Sequence, residues 1–247
     1  MKILGVIPAR YGSSRFPGKP LADIQGKPMI RRVYEQAKKC RLLDDLIIAT
    51  DDERIVSCVR SFDGNVMMTP ETLTSGTERC DFVVRNIRGG SGFDVVINIQ
   101  GDEPFINPLQ ISQLAGCFLS GDVVIGTLVK KITRQDELFD PNVVKVVFDD
   151  HFKALYFSRH PIPFLRGVEQ ADWLKHAGFF KHIGIYGYRT RTLETITQLP
   201  GSMLEKAESL EQLRWLGNGY PIHVKETDYE SVAIDTPGDL LKITNIS

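Results

Sequence analysis

No apolar run in this chain of 247 residues approaches the ~20 needed to cross a bilayer, and the first residues enter a strand-like run rather than a leader. The cytoplasm is therefore the expected compartment. Cysteine is scarce. Cys40, Cys58, Cys80 and Cys117 lie far apart without C-x-x-C spacing, which excludes a disulfide framework and leaves buried thiols in a reducing setting. The five histidines include no H-E-x-x-H and no G-x-S-x-G occurs, so zinc hydrolases and serine esterases lose support. Neither G-x-x-x-x-G-K-[ST] nor G-x-G-x-x-G is present, Pro20 standing where the Walker motif needs Ser or Thr. Neither sign of charge dominates: the formal net charge is -1, which argues against a general nucleic-acid binder. There is no internal repeat or low-complexity tract.

What is there is an ordinary globular composition, 42% hydrophobic and 25% charged, in a length that suits one extended α/β domain over 1–247. One stretch departs from the average. An apolar run over 3–7, of the kind that forms a buried central strand, opens into Pro8-Ala9-Arg10-Tyr11-Gly12-Ser13-Ser14-Arg15-Phe16-Pro17-Gly18-Lys19-Pro20-Leu21. From Arg10 to Arg32 six cations (Arg10, Arg15, Lys19, Lys27, Arg31, Arg32) face one acid, Asp23. Gly12 and Gly18 open backbone conformations closed to other residues, and Ser13 and Ser14 add hydroxyl donors, so N–H groups and cations can converge on a triphosphate. A basic loop is often solvated surface, but ligands of open parallel sheets bind beyond the carboxyl ends of strands, where this loop sits.

Pro28 suits a helix start, with Ile30, Val33, Ala37 and Cys40 at helical spacing. A strand over 46–50 ends at Asp51-Asp52, and Asp51 is read as the cap of the helix marked by Ile55, Val56 and Val59, with a ligand contact as the alternative. A short strand over 66–68 precedes Ser75 and Glu78, which have capping-box spacing. A cap leaves Gly76 and Arg79 unexplained; Gly76 permits close approach of a flat base, and Arg79 could reach a phosphate or base edge. The run 94–99 is the clearest buried strand and leads to Asp102, a carboxylate whose desolvation implies that it binds something; Mg²⁺ beside a triphosphate suits it, and capping the helix near Pro108 is the alternative. Helix 111–118 and strand 123–129 follow. Beyond Lys130 a β-hairpin is expected over 143–158, and 159–181, with Phe164, Trp173, Phe179 and Phe180, reads as an exposed aromatic segment and subunit contact or as surface folded back on the sheet. His182 and Tyr186 share one face of a strand over 182–188, one amphipathic helix is expected over 203–216 with Glu211 and Gln212 on its solvated face by composition, and a strand over 221–224. Pro237 makes Thr236 or Asp235 a cap candidate, and Asp235 is alternatively a second metal ligand opposite Asp102.

The order I-P-A-R-Y-x-S-[ST]-R-x-P-G-K-P-L (7–21), S-G-T-E-R (75–79), N-I-Q-G-D-E-P (98–104), L-Y-F-S-R (155–159), H-I-G-I-Y-G-Y-R (182–189), L-E-Q-L-R (210–214) and D-T-P (235–237) resembles the sugar-activating cytidylyltransferases, the 3-deoxy-manno-octulosonate cytidylyltransferases most of all. The resemblance implies a single Rossmann-like, glycosyltransferase-A-like nucleotidyltransferase domain with a mostly parallel sheet. It also implies that 130–188 forms a hairpin extension for dimerisation and sugar binding in a homodimer. The implied reaction joins CTP and a 3-deoxy sugar acid, with Mg²⁺, to give the CMP-sugar and pyrophosphate for lipopolysaccharide biosynthesis. By the same resemblance Arg10, Lys19, Asp102 and Asp235 are catalytic, the two aspartates holding metal. Ala9, Arg10, Arg15, Lys19, Ser75, Gly76, Arg79 and Gln100 bind nucleotide; Gln100, Arg159, His182, Tyr186, Glu211 and Gln212 bind the sugar acid. A sialic-acid-activating relative and a non-catalytic nucleotide-binding regulator are the alternatives.

Overall fold

In β1 (Ile3–Ala9) alternate side chains enter two different cores, Ile3 and Ile7 on one side and Leu4 and Val6 on the other, so both faces of the strand are covered. The computed structural model describes residues 1–12, 16–87, 92–119, 121–230 and 232–244; Ser13, Ser14 and Arg15 lie outside the described residues. A small ribbon, β2 (Asp23–Ile24) and β3 (Lys27–Pro28), follows the cationic loop and leads into α1 (Met29–Ala37). Strand-helix units then repeat: β4 (Asp45–Thr50) with α2 (Glu53–Arg60), β5 (Val66–Met68) with α3 (Gly76–Asn86), and β6 (Val95–Asn98) with α4 (Pro108–Cys117). After β7 (Ile125–Lys131) come α5 (Gln135–Phe139), β8 (Lys145–Phe148), β9 (Ala154–Ser158) and α6 (Trp173–His176). The chain returns through β10 (Phe180–Arg189), α7 (Thr190–Ile196), α8 (Met203–Glu208), α9 (Gln212–Gly217), β11 (Ile222–Glu226) and α10 (Pro237–Thr244).

The main sheet runs β11-β7-β10-β6-β1-β4-β5, with β8 and β9 joined through β10. Its path is parallel except at β10, which is antiparallel to both β6 and β7. Apolar residues of α1, α2 and α4 cover one face; those of α3, α7 and α9 cover the other. This is a three-layer α/β/α arrangement, and the ends of β1, β4 and β6 point to one rim, where the basic loop lies. Among the described residues no helix is long and apolar enough to cross a membrane.

Several expectations change. The cap of α2 is Asp52, whose carboxylate accepts from the Arg54 N–H, rather than Asp51. Asn107, not Asp102, caps α4. The helix expected over 203–216 is two helices, because Ser209 adopts a left-handed conformation (φ 52°) that ends α8 before α9 begins. Residues 180–188 belong to the main sheet, so the extension is confined to the hairpin and the segment after it. Of the aromatic residues expected to be exposed there, Trp173 and Phe179 are buried with Ile132 and Leu138 in a satellite core, while Phe164 is 71% exposed. All four cysteines are free thiols; Cys40 and Cys80 are buried, Cys58 and Cys117 only partly.

Candidate active site

Where β1 ends, Pro8, Ala9 and Arg10 face Lys19 and Pro20 on one side and Gln100, Gly101 and Asp102 on the other, around a pocket of about 150 Å³. The approach is close enough to need glycine: a Cβ on Gly101 would lie 2.4 Å from the Pro8 carbonyl oxygen. Gly18 (φ 72°) turns the loop beneath the Tyr11 ring, and the Arg54 guanidinium lies 3.3 Å from that ring's centroid on its other approach. The next residue is Lys19. Its ammonium donates to Asp102 Oδ2 at 2.7 Å and to Asp235 Oδ1 at 3.3 Å, joining carboxylates from opposite ends of the sequence.

The segment bearing Asp235 is fixed by its neighbours. The Ile234 N–H donates to the Asp102 carbonyl at 2.9 Å, and the Ile234 side chain is buried with Ile24 and Met29. Thr236 and Asp239 then form a reciprocal cap at α10, the Asp239 carboxylate accepting from the Thr236 N–H and hydroxyl. Thus Asp235 stands beside a cap rather than forming one. Two hard carboxylate oxygens converging on one cationic side chain are the donor chemistry that Mg²⁺ takes, with water and phosphate oxygens completing its shell. Among the described residues no group of three or more His, Cys, Asp or Glu is arranged to hold a metal ion.

Gly76, at the start of α3, lies against Pro8 and Asn98, so the S-G-T-E-R segment abuts the β1 loop. Ser75 and Glu78 make the expected reciprocal cap. Arg79 does not reach outward: it is fully buried and donates to Asp51 Oδ2 at 2.6 Å, to the Leu73 carbonyl and to the Thr69 hydroxyl. Burial pulls its guanidinium below the ordinary arginine range, and the Asp51 charge opposes this. Asp51 also lies 3.4 Å from Arg10 Nε, so one carboxylate serves a buried arginine and the half-exposed arginine at the pocket. Sequence reasoning missed this joint because its three members come from separate strand and helix ends.

The residues assigned to the sugar acid gather around β10. Gln100 donates to the Gly184 carbonyl at 2.6 Å, linking the pocket to the irregular stretch of that strand between Ile183 and Tyr186. His182 lies between the rings of Phe157 and Tyr186, with centroids 5.2 and 5.1 Å away. An edge remains open to solvent, but the covered faces govern its titration, and burial pushes its pKa down to about 3. Thr127 donates its hydroxyl hydrogen to the Ile185 carbonyl at 2.7 Å, so His182 Nε2, 2.9 Å from the Thr127 hydroxyl oxygen, donates to that oxygen and Nδ1 is left as an acceptor. Glu211 and Gln212, expected on a solvated face from composition, are drawn inward; Gln212 is buried and Glu211 accepts from the Thr77 hydroxyl. Arg159 is committed to the carbonyls of Glu208 and Pro141. Tyr188 and Trp215, which no local pattern singled out, complete the aromatic wall beside Tyr186.

The β1 loop, the paired aspartates and the sheet that presents them define a nucleotidyltransferase site. The family model for cytidylyltransferases matches residues 4–227. A 3-deoxy-manno-octulosonate cytidylyltransferase of Parabacteroides distasonis is 53% identical over 246 residues, 98% of this chain and 96% of that protein. One from Cytophaga hutchinsonii is 50% identical over 248 residues, covering 100% and 98%. The solved structure of CMP:2-keto-3-deoxy-manno-octonic acid synthetase complexed with CTP superposes with a TM-score of 0.91 at 42% identity, over 100% of this chain and 98% of the other. The chain belongs to the cytidylyltransferase family, in its 3-deoxy-manno-octulosonate cytidylyltransferase branch.

Proposed function

We propose that this enzyme joins CTP to 3-deoxy-manno-octulosonate, releasing pyrophosphate, as a step that supplies lipopolysaccharide biosynthesis in the cytoplasm. The observation that carries the reading is Lys19 held between Asp102 and Asp235 at the mouth of the pocket lined by Arg10. A sugar hydroxyl attacks the α-phosphorus of CTP, the bond to the bridging oxygen of pyrophosphate breaks, and the hydroxyl proton is lost to solvent or a nearby base. Such a transfer needs in-line positioning and neutralised charge rather than a covalent residue.

Arg10 and Lys19 supply fixed positive charge toward the departing pyrophosphate, Arg15 joining them by resemblance. Ala9 is buried, so its contribution to the nucleotide is its backbone, and Gly76 gives the base room against the sheet. With its side chain enclosed, Arg79 acts through Asp51 on Arg10 rather than on the nucleotide. Asp102 and Asp235 would hold Mg²⁺, which when bound would screen the phosphate oxygens and lower the pKa of the attacking hydroxyl. Gln100, His182, Tyr186, Glu211 and Gln212 offer acceptors and donors to a polyhydroxy acid, with Arg159 toward its carboxylate. The segment after the hairpin, with Phe164 outward, makes a homodimer contact.

The test is pyrophosphate release from CTP with a panel of sugar acids that includes 3-deoxy-manno-octulosonate and a sialic acid. Turnover with the first supports the proposal; selective use of the sialic acid, or CTP binding without turnover on any acid, overturns it. Asp102→Asn is expected to abolish Mg²⁺-dependent turnover, and a Mg²⁺ titration matching the parent chain would remove Asp102 from the metal site.

A further inference from the structure

We propose that Thr77 is a positioning residue that sets the Glu211 carboxylate and thereby ties the nucleotide-side start of α3 to the sugar-acid side of the site. The inference rests on the sugar-activation reading above. Thr77 follows Gly76, its side chain is buried, and its hydroxyl donates to Glu211 Oε2 at 2.7 Å, a contact between residues 134 apart in sequence. Glu211 is only partly enclosed, its side chain keeping 29% of its exposure. Burial pushes its carboxyl up, and the hydroxyl of Thr77, then that of Ser75, pulls it back, while the Arg214 guanidinium stands 3.8 Å away.

An aromatic wall stands beside this contact. Tyr186 and Tyr188 stack 6.0 Å apart, and Trp215 meets both edge-on at 5.2 and 5.6 Å. Within this wall the Tyr186 hydroxyl and the Trp215 indole N–H are buried without a hydrogen-bond partner among the described residues. The side-chain carbonyl of Asn98, the residue paired with Tyr186 across the sheet and packed under Gly76, is in the same condition. Buried polar groups are normally satisfied, so such a concentration marks a place where a polar ligand supplies the bonds. Thr77 is the element of this wall that belongs to the nucleotide-side helix. Its hydrogen bond fixes which Glu211 oxygen remains for a sugar hydroxyl, and without it the carboxylate is free to turn toward Arg214.

The experiment is steady-state pyrophosphate release by the full chain and its Thr77→Val and Thr77→Ser variants, varying CTP and 3-deoxy-manno-octulosonate separately. Valine keeps the shape of threonine and removes the donor. Thr77→Val is expected to raise KM for the sugar acid about tenfold, the scale of one hydrogen bond to a charged group, with KM for CTP unchanged. Thr77→Ser, which restores the hydroxyl, is expected to return the value to near that of the parent chain. Equal change in both KM values, no change in either, or failure of serine to rescue would overturn the inference while leaving the parent reaction standing. Absence of turnover in the parent chain would instead overturn the reading beneath it, and the inference with it. Should Thr77→Val fail to fold, Thr77→Ala removes the same donor with less side chain to accommodate: a selective rise in KM for the sugar acid supports the proposal, and an equal rise for CTP overturns it.

Discussion

Asp51 carries more of the pocket's electrostatics than its position in the sequence suggests. Burying Arg79 is tolerable because Asp51 and two neutral oxygens meet its two terminal nitrogens, although Nε has no partner among the described residues, and Asp51 at the same time restrains Arg10. Asp51→Asn is therefore expected to lower stability by about 3–5 kcal/mol, the usual consequence of stranding one partner of a buried ion pair. Urea denaturation measures this, and an Asp51→Asn, Arg79→Met double variant should lose less than the single one. Equal losses would show that the pair is not the cause. His182 gives a second residue-level expectation. Its folded pKa of about 3 lies below the ordinary ~6.5, so its contribution is complete above ~6.5 and is lost as pH falls from there toward 3, when the unfolded chain binds a proton that the folded chain refuses. The unfolding free energy of the parent chain should fall with acid through that window more steeply than that of His182→Gln; parallel curves would contradict the buried neutral imidazole.

At the scale of single elements, legibility follows locality. The capping box at Ser75 and Glu78, the Pro28 helix entry and the hairpin over β8 and β9 are written within a few neighbouring residues, and the structure follows them. Ser209 is different. Nothing in its immediate neighbours announces a left-handed turn, since helical periodicity runs straight through it; the chain breaks there because Leu210 and Leu213 are buried in the core with Trp215 while the outer turn of α8 stays at the surface. A non-glycine residue in this conformation costs about 1 kcal/mol, so Ser209→Gly should raise stability by up to about that much, less the extra freedom of the unfolded chain. Thermal unfolding checks the sign, and a fall in Tm would mean that serine contributes more there than conformation. Glu211 and Gln212 were misjudged for a related reason. The burial of Gln212 and the contact of Glu211 with Thr77 depend on α9 sharing a face of the sheet with α3, which periodicity does not encode.

For the whole molecule, the strand-helix alternation implies a parallel sheet, but the insertion of β10 between β6 and β7 is a long-range decision. It is also what brings Tyr186 beside Asn98 and Gly184 beside Gln100, so the sugar side of the site became visible only through the resemblance. The segment beyond the hairpin divides its aromatics between a satellite core and the surface, Trp173 inward and Phe164 outward. Replacing Phe164 with Asp is expected to shift sedimentation toward the monomer and, because its ring also meets Trp173 edge-on at 5.4 Å, to loosen the satellite core slightly; an unchanged coefficient would refute the contact.

Lys19 meets its second carboxylate 216 residues further along the chain, and Ile234 places that carboxylate by entering a small core built from Ile24 and Met29. Synthesis from the amino end consequently yields the cationic loop and Asp102 long before their last companion emerges. A nascent chain halted anywhere short of residue 235 would hold the means to attract a polyphosphate but not the complete charge arrangement around it, so chemistry should begin only once Asp235 has been added and has folded back onto Lys19.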